Sequence, residues 1–222
     1  TRKGGRRPRQ IRRTVLAGLI AGLLLPSAPV LAEDYNDVTL GDAETSAVMD
    51  VKDGETATRT TINSGGYQII SSGGSATSTI IHGGVQNVFS GGSATSTTIY
   101  SGGTQNVSSG GSATSTTIYS GKQDVDGGVV ASTTINSGGW QWVSGGGSAT
   151  STTIYSNGTQ NIYRGGSATS TTINSGGIQK VSSGGSATST TINWGGTQNV
   201  SSGGSATSTT IYSNGTQNIY RG

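Results

Sequence analysis

The sequence predicts an all-β fold, a right-handed parallel β-helix (solenoid) of about nine 19-residue coils, and three observations carry that prediction. A unit S-G-G-x-Q-x-V-x-S-G-G-S-A-T-S-T-T-I-x, clean from Ser101 to Tyr119, recurs between about Thr56 and Gly222. Nine isoleucines hold its register, at 62, 81, 99, 118, 135, 154, 173, 192 and 211, with spacings of 19, 18, 19, 17, 19, 19, 19 and 19 residues. Within each unit the tolerant and fixed positions alternate with period two, as in a strand with one face buried. A fixed period of this size means one small unit stacked on copies of itself.

The elements follow in chain order. Residues 1–32 have the layout of a bacterial export signal: a basic start, an apolar run from Val15 to Leu25, then Pro26 to Ala32 with Val30 and Ala32 as small residues at the cleavage positions. Cleavage is expected after Ala32. The apolar run is short for a membrane span. Arg12-Arg13 faintly resembles a twin-arginine signal, but a slender rod that folds late suits the unfolded Sec route better. Residues 33–55 are acidic and non-repetitive and are expected to cap the exposed strand edges of the first coil. The repeats, 56–222, form the body. The sequence opens on Thr and stops inside a repeat, so a fragment of a longer chain is expected, without its C-terminal part.

In the second segment of each unit, Gln68, Gln86, Gln105, Gln123, Gln141, Gln160, Gln179, Gln198 and Gln217 stand two residues before an Ile or Val. The alternating positions accept Tyr, Lys and Trp, which marks them as outward and the Gln column as inward. Buried Gln can satisfy itself in amide ladders. The first segment, A-T-S-T-T-I-x, reads as one strand: Thr95, Thr97 and Ile99 inward, with Ala94, Ser96, Thr98 and Tyr100 outward. Gly-Gly and Asn-Gly pairs separate the two segments and permit tight corners. The expected coil is strand, turn, strand, turn, and nine coils at ~4.8 Å give a rod of roughly 40 Å. Leu, Ile, Val and Phe total only 39 of 222 residues, a level that alone would allow a disordered Ser/Thr stalk. The strict register argues against that.

Composition excludes several functions. Seven of the thirteen basic residues lie between Arg2 and Arg13, and all ten acidic residues follow Ala32. Without the first 32 residues the net charge of +3 becomes −4. The basic balance therefore belongs to the leader, and no nucleic-acid partner is expected. With no cysteine there is no disulfide framework and no thiolate metal site. The Gly-Gly pairs precede no helix and form no dinucleotide fingerprint, and the repeats lack the Asp ligands of calcium nonapeptides. His82 occupies a drifting surface position, and Asp124 and Asp126 occur in a single irregular copy. No enzyme, no cofactor and no catalytic residue is expected.

Two outward columns stay fixed where packing does not demand it. The serines are Ser78, Ser96, Ser115, Ser132, Ser151, Ser170, Ser189 and Ser208, with Arg59 in the first copy. The threonines are Thr61, Thr98, Thr117, Thr134, Thr153, Thr172, Thr191 and Thr210, broken by Ile80. Three explanations compete: strand propensity with recent duplication, an ice-binding hydroxyl face, and covalent decoration with sugar. Ser148 to Gly165 returns letter for letter as Ser205 to Gly222, which favours duplication, yet neighbouring columns have diverged.

The halves S-G-G-x-Q-x-V and S-G-G-S-A-T-S-T-T-I resemble the passenger repeats of AIDA-type self-associating autotransporter adhesins. The basic stretch before Val15 is similar to the tail of their extended signal peptides. The resemblance implies a surface-displayed adhesin acting in epithelial attachment, invasion, autoaggregation and biofilm growth. It would be exported by Sec through the periplasm and tethered at the outer membrane by a C-terminal β-barrel. It also implies that a cytoplasmic heptosyltransferase using ADP-heptose O-heptosylates the passenger hydroxyls. The candidate acceptors are the serines of the first column and the threonines of the second from Thr98 onward. Expected partners are that transferase, the host epithelial surface, other rods and the Sec machinery. An unmodified structural or ice-binding β-solenoid is the alternative.

Overall fold

Corners rich in Gly and Ser cut each repeat into three short strands. The computed structural model describes residues 33–42 and 47–220; the expected signal peptide and its cleavage position at Ala32 lie outside the described residues. A representative coil has strands Ser93–Thr95, Thr98–Ile99 and Thr104–Ser108. Each strand pairs in parallel with its counterparts one coil before and after. The described residues thus build three parallel sheets of ten strands each, every sheet collecting every third strand of the chain. Residues within 33–55 supply the first coil, with Asp34 opposite Thr56 and Ala47 opposite Gly66.

The expected two-strand coil is corrected at Ser96. Its φ of 57° is left-handed, so the peptide turns over at that residue. Ser96 N–H donates to Thr114 O in the following coil, whereas Thr98 N–H donates to Thr79 O in the preceding one. The in-out alternation is reset across this corner. Ala94, expected outward, is buried; Thr95, expected inward, is half-exposed; Thr97 and Ile99 are buried as expected. The A-T-S-T-T-I segment is therefore two strands on two sides of the coil.

Five inward columns fill the interior: Ala, Thr, Ile, Gln and Val or Ile. Burying an isoleucine contributes roughly 1.5–3 kcal/mol, and each of Ile62 through Ile192 in the register column is fully buried. The Gln column is as dry as the isoleucines. Gln105 Nε2 donates to Gln86 Oε1 at 2.7 Å, and Gln105 Oε1 accepts from Gln123 Nε2 at 2.7 Å. The buried threonines complete the network: Gln105 Nε2 also donates to Thr97 Oγ1 at 3.1 Å, and Thr116 Oγ1 donates to Gln105 Oε1 at 3.1 Å. The carboxamide thus makes four bonds, the full capacity of its two donor hydrogens and one carbonyl oxygen.

The ladder runs from Gln68 to Gln217. In the first coil Met49 takes the Gln position, 5% exposed, and its Sδ accepts from Gln68 Nε2 at 3.5 Å. A thioether accepts weakly and has no donor of its own to satisfy. At the corners glycine is required by space as well as by torsion. Gly110 has φ 76°, and a Cβ on Gly111 would sit 2.4 Å from Val88 O of the coil below.

Replacing Gln141 with leucine removes both inter-coil amide bonds at one rung. We expect a loss of about 1–3 kcal/mol for each buried partner left unbonded, seen as a lowered urea midpoint. The surface change Asn161→Leu should stay within about 0.5 kcal/mol of wild type.

Candidate functional site: the corner hydroxyl columns

The corner between the first two strands carries one non-glycine left-handed residue in every coil. These are Asp37, Arg59, Ser78, Ser96, Ser115, Ser132, Ser151, Ser170, Ser189 and Ser208, with φ between 56° and 58°. The other two corners also need positive φ, and they mostly take Gly, with Ser120, Asn157, Arg164, Ser183 and Asn214 as exceptions. Left-handed backbone costs an L-residue roughly 1–2 kcal/mol, which glycine avoids and asparagine reduces. Eight consecutive coils nonetheless keep serine here, and its short side chain projects from a bend. Ser78 is half-buried, and Ser96 through Ser208 are exposed.

The candidate threonines sit differently. Thr98, Thr117, Thr134, Thr153, Thr172 and Thr191 begin the second strand and are half-buried, while the adjacent Thr97 position is buried. Only Thr210 is exposed. The structure thus places all fifteen candidate acceptors on the outer surface and separates them by accessibility.

A third hydroxyl column was missed. Thr58, Thr77, Thr95, Thr114, Thr150, Thr169, Thr188 and Thr207 face outward immediately before the corner. Two successive outward residues break strand alternation, and only the left-handed serine between the strands permits it. The signal in the sequence was a lone serine between β-branched threonines, preceded two positions earlier by alanine, a small core residue. For the ice-binding alternative, Thr95 and Thr97 point to opposite sides, so the Thr-x-Thr spelling gives no outward double column.

In the first two coils the corner carries an ion pair. Arg59 Nε and Nη2 donate to Asp37 Oδ1 and Oδ2 at 2.6 and 2.8 Å, both side chains exposed. The guanidinium's hydrogen bonds hold the Asp37 carboxyl below the usual carboxylate range and raise Arg59 further. The pair's contribution is therefore present above the ordinary carboxylate pKa and fades as pH falls through the lowered value. At an exposed site it is also screened by salt.

Other sequence candidates have structural places. His82 stacks on Tyr100 at 4.6 Å between ring centroids, and Tyr100 on Tyr119 at 5.5 Å, in one outward column. Asp124 and Asp126 lie on one outward strand face, with Lys122 paired to Asp124. Among the described residues no group of three or more His, Cys, Asp or Glu is placed to hold a metal.

Part of the chain is similar to known adhesins. Residues 119–177 match the AIDA family, described as "adhesin of bacterial autotransporter system, probable stalk". The same spelling runs through the other coils. Residues 119–177 are thus similar to AIDA-type adhesin stalk repeats. Autotransporter CRAC of Citrobacter rodentium is 73% identical over 71 residues, 32% of this chain and 4% of that protein. The autotransporter adhesin/invasin TibA of Escherichia coli O78:H11 is 64% identical over 70 residues, 32% of this chain and 7% of that protein. The matched stretch is thus a small part of either relative. A crystal structure of a TibA fragment hyper-glycosylated by TibC is 39% identical, covering 85% of this chain and 99% of the fragment, with a TM-score of 0.46. The matched family and TibA are both described as adhesins, not as enzymes.

Backbone strain at the corner is directly measurable. Ser151→Gly should stabilise by up to about 1 kcal/mol, its relief partly offset by the freer unfolded chain. Ser151→Val should destabilise by about 1–3 kcal/mol, because a β-branched residue resists left-handed torsions. Urea unfolding of the two variants checks both signs.

Proposed function

We propose that this chain is the surface-displayed stalk of an autotransporter adhesin whose corner serines and neighbouring threonines are O-glycosylation acceptors. The observation that carries the reading is the serine column itself. Each of three corners requires positive φ; two mostly take Gly, with scattered Asn, Ser and Arg, whereas the third keeps serine in eight successive coils, exposed in seven of them, at a conformational cost. Core packing gives little reason for that choice, since Ser96 through Ser208 are exposed. A group transferase requires what the column offers, an exposed hydroxyl on a protruding bend.

In this reading a cytoplasmic heptosyltransferase attaches heptose from ADP-heptose before export. The leader directs the unfolded chain through Sec, and a C-terminal barrel displays it at the outer membrane. The ranking follows accessibility: corner serines first, and the half-buried second-strand threonines after them. The outward Thr95 column joins as a further acceptor, and the buried Thr97 column stays unmodified. Repeated sugars at fixed spacing convert weak contacts with epithelial surfaces or other rods into avidity. Attachment, invasion, autoaggregation and biofilm growth follow from such contacts, and the similarity to an adhesin/invasin supports that direction.

Intact mass spectrometry of the chain produced with and without its native host's transferase tests the proposal. We expect a ladder of equal sugar increments that disappears without the transferase. Peptide mapping should place most sugar at the Ser96 column and none at the Thr97 column. A single unshifted mass in the native host overturns the acceptor reading.

A further inference from the structure

A second surface feature lies away from the corner serines, where the repeat is irregular. The coil between Ile118 and Ile135 is one residue short in each Gly turn, so Asp126-Gly127-Gly128 stands where the preceding coil has Ser108-Ser109-Gly110-Gly111. Beside the shortened turn, on the outer face of the third sheet, a trough of about 540 Å³ opens. Asn106, Asp124 and Trp142 lie in register along it in successive coils, Asp126 occupies the next outward column, and Tyr163 and Arg164 stand at one end.

Each group is held in a form suited to a ligand. Asp124 Oδ2 pairs with Lys122 Nζ, while Oδ1 is shut off from solvent and accepts no hydrogen bond from the described protein. A buried acceptor left without a donor is costly; the Asp124 side chain is 29% exposed where it lines the trough, so a modest rotation brings Oδ1 to a ligand hydroxyl. The Asp126 carboxylate lies over Gly145, whose φ is 57° and where an added Cβ would collide with Oδ1. The turn of the adjacent coil thus makes room for that carboxylate. Trp142 is fixed by the Lys122 ammonium, 4.1 Å from its ring centroid, yet remains exposed. It also lines a second hollow of about 350 Å³ with Lys122 and Trp140.

We propose that this trough binds a neutral saccharide. Aromatic faces suit the C–H faces of a sugar ring, and two carboxylates with an amide suit its neighbouring hydroxyls. The near balance of two Asp against Lys122 and Arg164 favours neither a polyanion nor a cation. Five coils, from Asn87 to Tyr163, contribute to the trough, so at ~4.8 Å per coil it is long enough for more than one sugar unit. No bond is made or broken there. The sugar can belong to a host glycan or to a glycosylated second copy of this chain. The site itself does not depend on modification of the chain that binds.

Saturation-transfer NMR on the unmodified chain tests it, with lactose, maltose and N,N′-diacetylchitobiose as neutral probes and a heparin tetrasaccharide as the polyanion. We expect transfer to at least one neutral probe, weakened about tenfold by Trp142→Ala and by Asp124→Asn. Trp194→Ala, at an exposed turn elsewhere, should leave binding unchanged. Thermal melts of the variants confirm that they fold. No transfer to any neutral probe, transfer to heparin alone, or binding undiminished in Trp142→Ala overturns the proposal. Competition by epithelial glycopeptides or by the glycosylated chain identifies the source, and competition by neither overturns it. Because the probes meet an unglycosylated chain, the outcome is independent of whether the corner serines are acceptors.

Discussion

The Gln–Thr ladder is the constraint on which the rest of this structure depends. A column of carboxamides in an interior as dry as its isoleucines is tolerable only if each amide meets its neighbours in register. A slip of one residue would turn the whole column to solvent and bring surface residues inward. The ladder therefore fixes strand register across the third sheet, and the corners must absorb every change in coil length. That is what they do: the shortened coil between Ile118 and Ile135 loses residues only in its turns, while Gln123 still bonds Gln105 and Gln141 at 2.7 Å.

Freedom on the surface follows from rigidity inside. With Ala, Thr, Ile, Gln and Val or Ile committed to the core, the outward positions can hold serine columns, a His-Tyr-Tyr stack or paired tryptophans without altering the coil. The same chain thus carries a uniform feature, repeated at each corner, and a local one, the Trp142 trough. The first depends on the repeat being kept and the second on its being broken. Asp124 and Asp126, which in sequence look like wear, lie beside a shortened turn that opens a surface hollow.

The parallel solenoid, the inward Gln column and the outward Ser96 and Thr98 columns were legible because each rests on period and tolerance, which a repeat displays nine times over. The third side of the coil was not. Ser96 is as compatible with a strand as with a bend, and no glycine or proline announces a corner there, so alternation was carried through it and Thr95 and Ala94 were assigned to the wrong faces. Left-handed serine is uncommon enough that local rules point elsewhere. The trough was illegible for another reason: it arises from register between coils, which joins residues 18 or 19 positions apart, and from a carboxylate whose burial depends on its neighbours' volumes.

Met49 gives the ladder a defined first rung. Every amide in the ladder donates toward the earlier coil and accepts from the later one, so the column has a direction, as a polymer strand does. At one end the sequence of identical rungs stops on a thioether, which offers no hydrogen to a further amide. In a ladder of otherwise interchangeable rungs this one side chain is a chemical terminator: it receives a hydrogen bond from Gln68 and has none to pass on.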